Sequence, residues 1–177
     1  DQDTLESWAD RLLALAPAAL TVHFRTARQR YTGTADWQAP ARLLAVAECH
    51  GGDTVLVGNG DVSTAADAEQ RARASALDGV MIGRALVGNP WVFRRDTAPA
   101  VPVRERLEVM LEHAVLFDRV YGHKHRFALM RKHFSRYAVG FPGARGLRQA
   151  LMQVDSPEQA TAVTRAFLAG GDAVAEG

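Results

Sequence analysis

Apolar and polar positions follow two different rhythms along the first half of the chain. Leu5, Trp8, Leu12 and Leu15 recur at helical spacing behind an Asp3–Glu6 capping pair, and Pro17 closes that run. Residues 19–22 form a short continuous apolar run, which predicts a buried strand ending at His23. The polar stretch from Arg25 to Trp37, with Gly33 inside it, predicts a loop. Pro40 to Cys49 returns to helix, ended by His50, Gly51 and Gly52. Thr54 to Val57 predicts a second strand running into Gly58, Asn59, Gly60 and Asp61. Thr64 and Asp67 then form a capping box at the head of an alanine-rich helix reaching about Ser75. Gly79 to Ile82 predicts a third strand running into Gly83, Arg84 and a short helical or turn segment.

Residues 1–93 therefore read α-β-α-β-α-β. Continuous apolar strands are what parallel strands covered on both faces require. The rhythm changes at Asp96 to Pro102, a proline- and alanine-rich linker, after which only helices are legible. Leu107, Leu111, Ala114 and Phe117 stripe a helix from Arg104 to Tyr121. Phe127, Met130, Phe134 and Tyr137 stripe a second. Ser156, Pro157 and Gln159 open a third that ends near Gly170 and Gly171. The fold class expected is α/β followed by all-α, with a first domain over 1–97 and a helical domain over 98–177. In parallel α/β folds ligands gather at the carboxyl ends of strands.

The 177 residues are 47% hydrophobic and 23% charged, an ordinary globular composition. The single cysteine, Cys49, excludes a disulfide framework and a cysteine-built zinc site, and no metal is expected. It falls late in a helix that precedes a strand and reads as structural. No apolar run reaches the roughly 18 residues of a membrane span, and no signal peptide opens the chain, so a cytoplasmic setting and no membrane contact are expected. Residue 1 is Asp, which implies a chain that begins inside a longer product or after processing. The net charge of +1 is uninformative, but its distribution is not. From Arg119 to Val154 there is no Asp or Glu, while Lys124, Arg126, Arg131, Lys132, Arg136 and three histidines fall there. Lys132 and Arg136 share a helix face by their spacing. A charge run is usually a solvated face; segregated cations interleaved with aromatics point instead to a phosphate-rich polymer.

Three strand ends could carry chemistry. Gly58 and Gly60 around Asn59 let backbone approach a ligand, and the Asn59 and Asp61 side chains can bond a planar ring or a sugar hydroxyl; a tight βα turn has the same composition. Gly83 and Arg84 suit a phosphate, although an Arg after a turn is common on any surface. Asn59 and Gly83 stand 24 residues apart at the ends of consecutive strands. Phosphate cups of (β/α)8 barrels form after the last two strands, so these read as that pair. His23 would then stand on the same rim, able to donate to an anion or ring; alone, such a histidine is more often packed or solvated.

In combination these segments resemble the tRNA-dihydrouridine synthase family. The resemblance runs through residues 20–26 with His23 and Arg25, Gln29, Tyr31, 33–37, 58–62, 78–85 and 88–93, then through 130–134, Tyr137 and 140–144. It implies the C-terminal part of a flavin-bearing (β/α)8 barrel followed by a helical tRNA-binding domain. It implies reduction of the C5=C6 bond of a uridine in tRNA, with FMN as cofactor and NADPH as reductant. His23, Asn59, Gly60, Asp61, Gly83 and Arg84 would hold FMN; Lys124, Arg126, Arg131, Lys132 and Arg136 would track tRNA. The family usually carries Gly where this chain has Phe24, and often a basic residue at Ala27. The resemblance also implies that the catalytic cysteine, a flavin-contacting lysine and five of eight strands precede Asp1. The chain by itself is expected to be inactive, poorly stable and monomeric. Another FMN-dependent barrel oxidoreductase and a non-catalytic RNA-binding protein are the alternatives that the residues leave open.

Overall fold

Three parallel strands, each delivered by a helix, make up the first half of the computed structural model, which describes residues 4–29, 32–94 and 100–170. Helix α1, Leu5–Leu13, leads to β1, Ala19–His23; α2, Pro40–Glu48, leads to β2, Val55–Asn59; α3, Ala65–Ser75, leads to β3, Gly79–Met81. The strands pair in the order β1-β2-β3. His23 stands opposite Asn59, and Asn59 opposite Met81, so the carboxyl ends are level.

Side chains alternate across a strand, and parallel register sends partners to the same face. Leu20, Val22 and Leu56, continued by Phe24, meet Ala9 and Leu13 of α1 and Leu43 and Ala47 of α2 in one apolar cluster. Thr21, His23, Val55, Val57, Asn59 and Met81 turn the other way, where Val55 and Met81 are 46% and 47% exposed. Among the described residues helices pack on one face; the open face carries Thr21, His23 and Asn59 beside the apolar Val55, Val57 and Met81. Gly58 and Asn59 belong to the ladder of β2 and not to the turn after it. Arg84–Leu86 is a single 3-10 turn, too short to offer a helix N-terminus. Asp3, the expected capping residue of α1, lies outside the described residues, and Thr4 stands at the N-cap. Tyr31, residues 95–99 of the expected linker and Gly171 also lie outside them.

The second half is helical: α4, Val103–Tyr121; a 3-10 turn, Phe127–Met130; α5, Arg131–Tyr137; α6, Ala144–Leu151; and α7, Pro157–Gly170. Its core holds Leu107, Met110 and Ala114 of α4 with Met130, Phe134, Leu147, Leu151, Ala160 and Thr164. The buried stripe of α4 therefore runs through Met110, where the sequence pattern placed Leu111. Helix α6 has no counterpart in the sequence reading. By compactness the chain divides into Asp1–Leu86 with Trp91–Asp96, and Val87–Pro90 with Thr97–Gly177. No helix among the described residues is long and apolar enough to cross a membrane.

Candidate functional site

The carboxyl rim of the sheet gathers the sequence-predicted residues of the first unit. His23 and Asn59 are register partners on the open face. The Arg25 backbone N–H donates to His23 Nδ1 at 3.1 Å, so the ring proton resides on Nε2, the donor left to a ligand. The Asn59 Nδ2 donates to the Met81 carbonyl at 2.9 Å, which fixes the amide orientation and makes Oδ1 the acceptor. Gly83 is open: a Cβ built there would meet only Asn59 Nδ2, at 3.9 Å.

Gly60 and Asp61 behave differently. Gly60 is buried at φ +134°, and a Cβ on it would stand 2.6 Å from that of Ala35. Its carbonyl accepts from Trp37 Nε1 at 2.9 Å. The Asp61 carboxylate accepts from the Ala35 N–H at 2.8 Å, from Arg84 Nη2 at 2.8 Å and from Arg25 Nη2, which reaches both oxygens. The Ala35 N–H, and after it the two guanidinium groups, hold this carboxyl below the usual carboxylate range against the opposing effect of burial. Asp61 therefore organises the rim from within: it ties the loop after β1 to Arg84 after β3. The Arg84 side chain is 62% exposed, whereas that of Arg25 is 6% exposed and also donates to the Gly33 carbonyl. The sequence reading assigned Arg25 no role. Its one signal was two rim residues of opposite charge at successive strand ends.

Cys49 lies away from this rim. It caps the end of α2 that feeds the start of β2, is exposed, and its thiol donates to the Ala45 carbonyl at 3.5 Å.

In the helical unit the sequence-predicted cations divide. Lys124 and Arg126 are exposed in the turn after α4, and Lys132 and Arg136 are exposed one turn apart on α5. Arg131 is half-buried and donates to the Val154 carbonyl at 3.3 Å and to Asp155 at 2.7 Å, a tether between α5 and the approach to α7.

Comparison with known proteins gives one consistent finding. The sequence model described as dihydrouridine synthase (Dus) matches residues 1–170. A "Probable tRNA-dihydrouridine synthase" of Mycobacterium tuberculosis is 37% identical over 145 residues, 77% of this chain and 36% of that protein. The "tRNA-dihydrouridine synthase B" of Xanthomonas campestris is 33% identical over 161 residues, 85% of this chain and 46% of that protein. The chain thus spans less than half the length of these relatives.

Proposed function

Because the chain belongs to the dihydrouridine synthase family, we propose that it supplies the cofactor-phosphate end and the RNA-holding helices of a tRNA-dihydrouridine synthase. In this reading the enzyme reduces the C5=C6 bond of a uridine in tRNA, with FMN bound and NADPH as the electron source. The single observation that carries it is the rim itself: His23, Asn59, Gly83 and Arg84 stand together at the level carboxyl ends of a parallel sheet.

The rim residues fit a phosphorylated flavin. An exposed guanidinium suits a phosphate, open space over Gly83 admits a ligand, and an N–H donor beside an amide oxygen suits a planar heterocycle. When bound, the flavin supplies the hydride, and the protein supplies position and field. Arg84 would hold the phosphate, with its orientation set by Asp61. His23 would donate from Nε2, and Asn59 would accept at Oδ1. Cys49 has no part in the proton transfer, since a general acid must reach the reacting carbon and Cys49 stands at the opposite end of the strands. The general acid in this reading is a cysteine outside these 177 residues. Lys124, Arg126, Lys132 and Arg136 would meet tRNA phosphates, and Arg131 would support them through its tether.

The test is complementation. The gene that encodes this chain is expressed in bacteria stripped of their own dihydrouridine synthases, and tRNA nucleosides are analysed by mass spectrometry. Dihydrouridine returns with the wild type. With Arg84→Ala it is strongly reduced, and the purified variant holds FMN about tenfold or more weakly, the loss expected of a charged hydrogen bond of roughly 1.5–3 kcal/mol. A soluble wild-type product of the relatives' full length that leaves tRNA without dihydrouridine overturns the reading.

A further inference from the structure

The turn after α4 gathers rings and cations at the surface of the helical unit. The N–H groups of Lys124 and His125 both donate to the Tyr121 carbonyl at 2.8 Å, which curls the chain back over the helix end. The His125 imidazole comes to rest with its centroid 5.9 Å from that of the Tyr121 ring. Phe117, one turn earlier on α4, lies 5.6 Å from Tyr121. Phe117 in turn meets Phe127, and Phe127 meets the fully buried Phe134, at 6.4 and 6.0 Å. The rings thus form a ladder from the core to the surface, and its outer members are exposed: Tyr121 at 49%, and His125 beside it.

Tyr121 is thus half-exposed although it is braced from the core. Its surroundings narrow the ligand. Arg119, His123, Lys124 and Arg126 are all exposed in the same eight residues. The nearest acid along the chain, Asp118, is turned against Gly122, where a Cβ would meet its Oδ1 at 2.7 Å. Cations without rings would suit duplex phosphates, and rings without cations would suit an apolar partner. Rings flanked by cations suit an unpaired base with its phosphates, because every base has a π-face and aromatic side chains and Arg planes stack on it.

We infer that the Tyr121–His125 ring pair is a stacking site for an unpaired base of RNA, with Lys124 and Arg126 on the neighbouring phosphates. This rests on the reading of the helical unit as the RNA-holding part. The site is sequence-tolerant, since stacking reads a π-face and not a base edge. It would grip a tRNA where a base is out of its helix, and would thereby add a preference for single-stranded segments that a charge patch cannot supply.

The experiment is fluorescence anisotropy of the protein with a labelled oligouridylate and with a labelled RNA duplex, each over a series of salt concentrations. Tyr121→Leu keeps apolar packing on Phe117 but removes the π-face. It lowers affinity for the oligouridylate about tenfold and leaves duplex affinity and the salt slope unchanged. Tyr121→Phe keeps wild-type binding. Lys124→Ala weakens both RNAs and reduces the salt slope by about one. His125→Ala, at an exposed position that leaves the packing on Phe117 alone, repeats the single-strand loss should Tyr121→Leu fail to fold. Wild-type oligouridylate affinity in Tyr121→Leu or His125→Ala, or an equal loss on both RNAs, overturns the stacking site while the RNA-holding reading stands. A wild-type protein that binds neither RNA overturns that reading and the stacking site with it.

Discussion

Phe24 and Gly58 explain each other. Phe24 is buried and meets Trp37 edge to face, with ring centroids 5.1 Å apart. A Cβ on Gly58 would stand 2.7 Å from Phe24, 2.8 Å from Leu77 and 3.1 Å from Trp37. The bulk of Phe24 is thus seated on a residue with no side chain. Gly58 is in the strand ladder and has no unusual dihedral to preserve; space alone demands glycine there. Gly58→Ala is expected to cost about 1–3 kcal/mol through overpacking. A urea titration would detect it as a lowered midpoint, and a midpoint equal to wild type would show that Phe24 yields freely.

At the scale of elements, the caps of α3 and α7 were legible, as was the buried stripe Phe127, Met130, Phe134 and Tyr137, while that of α4 was legible only in part. Thr64 accepts from the Asp67 N–H at 3.0 Å, as a capping box requires. The return bond goes one residue further out than the motif implies, from the Ser63 N–H to Asp67 at 3.1 Å. The head of α7 repeats this shift: Ser156 accepts from the Gln159 N–H, and Gln159 accepts from that of Asp155. Helix α3 has a polar sequence and little buried surface of its own, so its cap matters more than on a well-packed helix. Thr64→Ala should destabilise the first unit by about 1 kcal/mol, and Thr64→Ser by much less. Amide exchange across residues 65–75 would report both, and equal protection in all three proteins would remove the cap from the account. The short α6 escaped the sequence reading because its apolar positions, Ala144, Leu147 and Leu151, fall between glycines and arginines.

At the scale of the whole molecule, a pair of histidines on α4 and α5 carries a consequence for pH. His113 and His133 meet at 4.9 Å between ring centroids, and Tyr137 Oη lies 3.4 Å from His113 Nδ1. Burial pushes both imidazoles below their ordinary value of 6.5; for His133 the neighbouring His113 and Lys132 push the same way. The neutral forms suit the fold, so this pair costs nothing above pH 6.5. Below it the unfolded chain takes up protons that the folded unit resists, and stability falls with pH until the folded histidines titrate too. The denaturation midpoint of the helical unit, followed by amide exchange over residues 107–137, should therefore drop on acidification from neutrality. His133→Gln should flatten that drop. A midpoint constant from pH 7 to pH 5 would contradict it.

The order of elements through β3, the caps of α3 and α7 and the segregation of charge followed from the sequence alone, because each depends on neighbours in the chain. Period, turn chemistry and local hydrogen bonds act over a few residues, and so they are written there. What Asp61 does could not be read in this way. Its partners, Arg25 and Ala35, lie in a loop of another strand, and Arg84 follows a third; only the parallel register brings them to one carboxylate. The same holds for the clash that reserves Gly58 for glycine and for the tether at Arg131. Each is a contact between segments far apart in the chain, set by how the elements pack, and packing is decided in three dimensions.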